Sequence, residues 1–288
     1  MEDNRYTGKG IGLAVMDTGA FLHPDYRDRV VAFQDMVRKR RRCYDDNGHG
    51  THIAGIAAGD GRMSGGRHAG AAPGAHLIVV KVLDFRGNGT VDNVLAGVDY
   101  LLSNRERLRI RVVNISMGAF DEEGMGEDSE LVRGVEKLWD AGMVVLAAAG
   151  NNGPAPMTIA TPGISRKLIT VGCSDDDRET HINGSRMRDY SGRGPTAACI
   201  CKPDLVAPGC EIISCNRILR GSDAPYTMKS GTSMATPLAA GAVCCLLEKY
   251  PSMTNAQVKL KLRESCVKVD MPDEKQGWGV LNPEGLLR

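Results

Sequence analysis

Three stretches decide the fold: AHLIVVKVL at 75–83, TVDNVLAGVDYLL at 90–102 and VVNIS at 112–116. The first and last are short apolar runs of the kind buried on both faces of a parallel sheet. Between them Val91, Val94, Leu95, Val98, Leu101 and Leu102 recur at helical spacing behind Thr90, a residue suited to an N-cap. A strand, a helix and a second strand in this order argue for a parallel sheet covered on both faces. The rhythm extends outward: 10–16, 30–33, 143–148 and 168–172 read as further strands. Leu131, Val135, Leu138 and Trp139 read as a helix closed by Gly142, and Thr254 with Gln257 as a capping box opening a helix to about Cys266. The expected fold is α/β, three-layered, with a mostly parallel central sheet and helices on both faces. No repeat, low-complexity tract or linker divides the chain, so 1–288 reads as one domain.

Composition narrows the function. The 288 residues carry 36 Lys+Arg against 35 Asp+Glu, a net charge of +1, which gives no general attraction for nucleic acid. At 42% apolar and 25% charged this is ordinary globular composition, and no 18-residue apolar run predicts a membrane span. The nine cysteines are odd in number and lack a C-x-x-C pair, so they read as reduced thiols of a cytoplasmic protein. The opening MEDNRYTGKG carries no signal-peptide pattern. A secreted form whose leader has been removed is the alternative.

In parallel sheets, ligands bind beyond the carboxyl ends of the strands. Asp17 follows the first run, Ser116-Met117-Gly118 the fourth, and Asn151 the run ending in Ala147-Ala148-Ala149-Gly150. Three segments then carry chemistry: VMDTG at 15–19, NGHGTHIAG at 47–55 and SGTSMATP at 230–237. A serine hydroxyl is a weak nucleophile at neutral pH and needs a neutral imidazole to take its proton. The imidazole in turn needs a carboxylate to hold its other nitrogen protonated and to stabilise its positive charge. Ser233, His49 and Asp17 fit these roles as nucleophile, general base and orienting carboxylate. Ser233 also opens a long apolar helix, 232–250, whose N-terminal amides favour negative charge.

These segments, in the order Asp, His, Ser, resemble the motifs of the subtilisin-like serine proteases (subtilases, peptidase family S8), and bacterial intracellular members in particular. The likeness runs from about Tyr6 to Leu286 and includes AAAGN at 147–151, YSGRGP at 190–195 and VAPG at 206–209. The order excludes the α/β-hydrolases, in which histidine comes last. The resemblance implies a serine endopeptidase acting on protein or peptide substrates through an acyl-enzyme. Asn151 would donate to the oxyanion together with the Ser233 amide. Ser116, Met117 and Gly118 would offer a strand edge to an extended peptide, and Ala147, Ala148, Ala149, Gly150 and Ala160 would wall an uncharged pocket. That pocket implies broad specificity, with an apolar or medium-sized residue before the scissile bond. The other readings are a maturation protease dedicated to one partner and an inactive scaffold on the same fold. Intracellular members are often dimers, so a homodimer is among the expectations.

No cofactor is required for this chemistry and no metal ligand is assigned. The resemblance brings structural calcium with it at Asp25, yet GDGRMSGGRH at 59–68 lacks the oxygen-rich loop that would complete such a site. His52 reads as a buried helix residue with a satisfied ring. Cys244 and Cys245 read as small core residues, RKRRR at 38–42 as a solvated loop or a partner site, and the acidic run 121–128 as a surface loop.

Overall fold

A computed structural model describes residues 6–118, 126–182, 184–221 and 223–288. The acidic run falls mostly outside the described residues. The chain forms two compact units.

The first unit comprises Met1–Asn114, Ile213–Thr227 and Ala240–Met253. It holds strands β1 (Gly12–Asp17), β2 (Val30–Asp35), β3 (His76–Lys81) and β4 (Ile110–Ile115) in the spatial order β2-β3-β1-β4. The pairs β1/β3 and β2/β3 are parallel. β1 is buried at every position, which accounts for the unbroken apolar run that precedes Asp17. Helix α1 (His49–Ala58) follows β2, and α2 (Val91–Asn104) starts where its sequence predicts, with the Thr90 hydroxyl accepting the Asn93 N–H. In register, Asp17 and Asp35 both lie opposite Lys81, so the carboxyl ends of three strands finish on charged residues.

The second unit comprises Ile115–Ile212, Met228–Ala239 and Thr254–Arg288. Its strands β5 (Val144–Ala148), β6 (Ile169–Cys173) and β9 (Leu205–Ala207) are neighbours and parallel. β7 (Thr180–Ile182) and β8 (Ser185–Met187) form a small antiparallel hairpin between them in sequence. Helix α3 (Glu130–Asp140) is capped by Ser129, and Gly142 beyond it takes the left-handed conformation expected of a helix stop. α4 (Thr232–Lys249) begins in this unit, its turns from residue 240 belonging to the first. α5 (Asn255–Ser265) opens with both bonds of the Thr254–Gln257 capping box. Strands β10 (Ile212–Cys215) and β11 (Tyr226–Lys229), which pair as a two-stranded sheet, complete the elements used below. Each unit is therefore of the parallel α/β class that the sequence predicts. Among the described residues, no helix is long and apolar enough to cross a membrane.

Candidate active site

Asp17 ends β1 and is fully buried. His49 begins α1 and keeps about a quarter of its side chain exposed. Nδ1 of His49 lies 2.8 Å from Oδ1 and 2.9 Å from Oδ2 of Asp17, and Oδ1 also accepts the Thr18 N–H at 2.7 Å. An ionised carboxylate only accepts, so Nδ1 donates and Nε2 carries the lone pair. The imidazole is thereby set up as a base through Nε2.

The turn that delivers His49 is built around Asp45, which is itself buried. Its Oδ1 accepts the N–H groups of Asn47 (3.0 Å) and Gly48 (2.8 Å) and the Thr18 hydroxyl (3.0 Å). Its Oδ2 accepts the Thr51 N–H (2.9 Å) and hydroxyl (2.6 Å). One carboxylate thus satisfies amides at the opening of α1 that have no helical partner. Gly48 has φ 109°, a conformation that side chains resist, and a Cβ on Gly50 would stand 2.1 Å from the Gly19 carbonyl oxygen. The glycines on either side of His49 are therefore required by backbone geometry.

Below the Asp17 turn lies Lys81, also fully buried. Its three ammonium protons match three acceptors: Thr18 O (2.6 Å), Asp46 Oδ1 (2.7 Å) and Leu83 O (2.8 Å). Asp45 and Lys81 are the supporting residues that sequence reasoning missed. The signals were a double aspartate just before the histidine motif and a lysine closing an apolar strand, each of which reads locally as surface.

In the second unit Ser233 is the second residue of α4 and half-buried. Its hydroxyl donates to Ser116 O at 3.0 Å, and the Ser116 hydroxyl returns a bond to Ser233 O at 3.0 Å. Asn151 is turned by Thr232, whose N–H (3.0 Å) and hydroxyl (3.1 Å) both approach the amide oxygen. That fixes which end of the carboxamide is the donor: Nδ2 faces away from Thr232. Gly150 is tied to the same threonine, its N–H donating to Thr232 Oγ1 at 3.1 Å. A Cβ built on Gly118 or on Gly150 would lie 2.7 Å from the Ala160 Cβ. The three residues thus meet at one place. Ala147 and Ala148 are buried in β5, Ala149 just beyond it binds the Ala160 N–H through its carbonyl (2.8 Å), and Met117 is half-buried beside exposed Gly118.

Around Asp25 the donors do not suit calcium. Oδ1 accepts the Met63 N–H at 3.1 Å, and Oδ2 accepts the Tyr226 hydroxyl at 2.8 Å with the Cys215 thiol 3.7 Å away. His23, Asp25 and Cys215 bring potential ligand atoms within 4.8 Å of one another. Both His23 nitrogens are already engaged, Nε2 with Pro225 O (2.9 Å) and Nδ1 with the Asp25 N–H (3.2 Å). Calcium takes six to eight oxygens, and an imidazole and a thiol are poor substitutes. Burial pushes the Cys215 thiol well up and lowers the His23 imidazole, against the pull of Asp25. The cluster is held by internal hydrogen bonds. His52 is likewise buried, with Nε2 at 3.1 Å from Thr227 O.

Known proteins resemble this chain over most of its length. The subtilase family model matches residues 8–279. Serine protease AprX of Bacillus subtilis (strain 168) is 41% identical over 98% of this chain, which spans 67% of that relative's length. Subtilisin of Bacillus sp. (strain TA39) is 35% identical over 92% of the chain, which spans 63% of it, and Subtilisin Savinase of Lederbergia lenta is 32% identical, with 98% and 92% covered. Among solved structures, sphericase superimposes with a TM-score of 0.80 at 28% identity, covering 96% of this chain and 92% of its own. The chain belongs to the subtilase family of serine proteases.

Proposed function

We propose that residues 1–288 act as a single peptidase domain, a serine endopeptidase with Ser233 as nucleophile, His49 as general base and Asp17 as its orienting carboxylate. The observation that carries this reading is the paired contact of Asp17 with His49 Nδ1, which leaves Nε2 basic. In the reaction the Ser233 hydroxyl releases Ser116 O and Oγ bonds to the substrate carbonyl carbon as its proton passes to Nε2. Collapse of the tetrahedral species breaks the C–N bond, and the same proton goes to the leaving amine. Water then attacks the acyl carbon as its proton passes to Nε2, and collapse breaks the C–Oγ bond, releasing the acid and returning that proton to Ser233 Oγ.

The oxyanion is assigned to the Ser233 N–H, at the positive end of α4, and to Asn151 Nδ2. The orientation of Asn151 by Thr232 supports this, because a donor fixed beforehand need not reorganise as charge develops. Gly118, Gly150 and Ala160, meeting without a charged group among them, support an uncharged pocket for an apolar or medium-sized residue before the scissile bond, with broad specificity. The nine free cysteines support a reducing, cytoplasmic setting.

The test compares the wild type with Ser233→Ala for fluorophosphonate labelling and casein cleavage. Labelling and cleavage by the wild type, both lost in the variant, are expected. An unlabelled and inactive wild type would favour the inert scaffold.

A further inference from the structure

The run Arg38-Lys39-Arg40-Arg41-Arg42 is exposed throughout. It is nevertheless held in one shape by a buried carboxylate. Asp35 Oδ1 accepts the N–H groups of Val37 and Arg38, each at 2.9 Å, and Oδ2 accepts the Arg40 N–H (3.1 Å) and the Tyr44 hydroxyl (2.8 Å). The hydrogen bonds of the aspartate go to backbone and to Tyr44, so its carboxylate orders the run without an ion pair to the side chains it organises among the described residues. Arg40 stacks on the Tyr44 ring, and Arg38 lies 3.9 Å from Asp46.

One more arginine reaches the same segment from elsewhere in the first unit, and another is anchored next to it. Arg217 Nη1 donates to Asp45 O at 3.4 Å, a long bond, and its Nε would be 3.0 Å from a Cβ on Gly48, the residue before His49. Exposed Arg86 stacks its guanidinium on the ring of Phe85, whose carbonyl accepts Asn47 Nδ2 at 3.1 Å. The carboxylates nearby are committed. Asp17 serves His49, Asp45 the opening of α1 and Asp46 the ammonium of Lys81 with Arg38 more distant at 3.9 Å, while Asp84 Oδ1 holds its own turn through the Arg86 and Asn88 N–H groups. Tyr44, Asp46 and Gly48 thus each lie beside a guanidinium, of Arg40, Arg38 and Arg217 in turn, and form a cationic rim in a chain whose overall charge is only +1.

We infer that this rim is a subsite for acidic side chains of the peptide substrate close to the scissile bond, with Arg217 the nearest of its residues to the chemistry. The inference rests on the proposed function, since His49 must reach the leaving amine and whatever flanks it flanks the substrate. A guanidinium fork matches a carboxylate, and a preformed platform loses little freedom on binding. A near-neutral chain has no long-range field to gather a polyanion, which favours a short acidic peptide over nucleic acid. Exposed ion pairs are individually weak, so the preference is modest and sensitive to salt.

Two fluorescent peptides of equal length, one with Asp-Glu pairs flanking the cleaved bond and one with Asn-Gln at those positions, are titrated onto Ser233→Ala protein by anisotropy. Hydrolysis of the same pair by the wild type is followed in parallel. The acidic peptide is expected to bind about tenfold tighter at low ionic strength, with the advantage lost in 1 M NaCl, where the screening length falls to about 3 Å. Arg217→Glu in the same background should reverse the preference. Arg217→Gln and the triple change Arg38→Ala, Arg41→Ala, Arg42→Ala, with thermal melts to establish folding, should bring the ratio toward one. Equal binding of the two peptides, a ratio indifferent to all three variants, or tighter binding of an oligonucleotide of matched charge would overturn the subsite. Because binding is read on a protein without its nucleophile, these outcomes stand whether or not the wild type cleaves either peptide, and absence of cleavage counts against the proposed function alone.

Discussion

Asp17 meets His49 through both carboxylate oxygens, at 2.8 and 2.9 Å from Nδ1, with the whole of Asp17 buried and the imidazole partly exposed. This contact fixes the tautomer. Asp17→Asn presents an amide that can donate to Nδ1, moving the proton to Nε2 and removing the base. With fold and stability nearly unchanged, kcat on a peptide should fall by roughly 10⁴, as replacement of the analogous buried aspartate does in a serine protease of another fold. A variant that keeps a tenth of the wild-type rate would remove Asp17 from the mechanism.

In the proposed pocket, where Gly118, Gly150 and Ala160 meet, the size of residue 160 is expected to act on specificity. Ala160→Val adds two methyl groups where a single Cβ on either glycine would already crowd to 2.7 Å. Turnover of peptides with Phe or Leu before the scissile bond should drop by about tenfold relative to peptides with Ala, since a methylene in a pocket is worth about 1–3 kcal/mol. Competition assays on mixed peptides give the ratio directly, and an unchanged ratio would move the pocket elsewhere.

Asp45 should matter for stability as much as for rate. Its two oxygens accept five donors, all from buried or half-buried groups. Asp45→Asn replaces one acceptor oxygen with an NH₂ that faces N–H and O–H groups. Leaving such donors unmet costs about 1–3 kcal/mol each, so a loss of about 2–4 kcal/mol is expected. Urea denaturation measures it, and a midpoint within error of wild type would mean that the turn is held by something else.

Much of this was legible before any coordinates. The strands at 75–83 and 112–116 and the helix behind Thr90 follow from periodicity alone, because burial on both faces demands unbroken apolar runs and one-sided burial demands helical spacing. The capping box at Thr254 is equally local. The short strands β7 to β11, three or four residues each, carry too few positions to display a period. The same limit hides the support of the site. Lys81 interrupts an apolar strand with a charge, and its acceptors Thr18 and Asp46 lie 63 and 35 residues away in the chain. His52 finds its acceptor at Thr227, 175 residues on. Motifs name the residues proposed to react, while the groups that hold them are chosen by the fold.

His23 gives the protein an acid-side weakness. Burial holds the imidazole below its usual value near 6.5, although Asp25, the Pro225 carbonyl and Asp60 pull it partly back. The unfolded chain therefore takes up a proton near pH 6.5 that the native chain still refuses. Unfolding free energy should decline as pH falls through this value, by up to about 1.4 kcal/mol per pH unit for one proton. His23→Gln retains a donor for Pro225 O and removes the titration. Urea midpoints at pH 7.5 and 5.5 should differ less in the variant than in the wild type, and equal differences would assign the slope to another group.

Thiol reactivity separates the nine cysteines by environment. Cys199 and Cys201 are exposed. Burial pushes Cys43, Cys245 and Cys266 up to about 12 and raises Cys173, Cys215 and Cys244 as well, while Cys210 is buried. Only the thiolate attacks an alkylating agent, and a thiol with a pKa near 12 is about one part in 10⁴ ionised at pH 8. Iodoacetamide at pH 8 should therefore modify Cys199 and Cys201 on the native chain within minutes. The other seven should react only once denaturant opens the units. Peptide mapping by mass spectrometry distinguishes the two classes. Rapid native labelling at Cys244, which is fully buried in α4, would show that the helix carrying Ser233 opens far more readily than its packing allows.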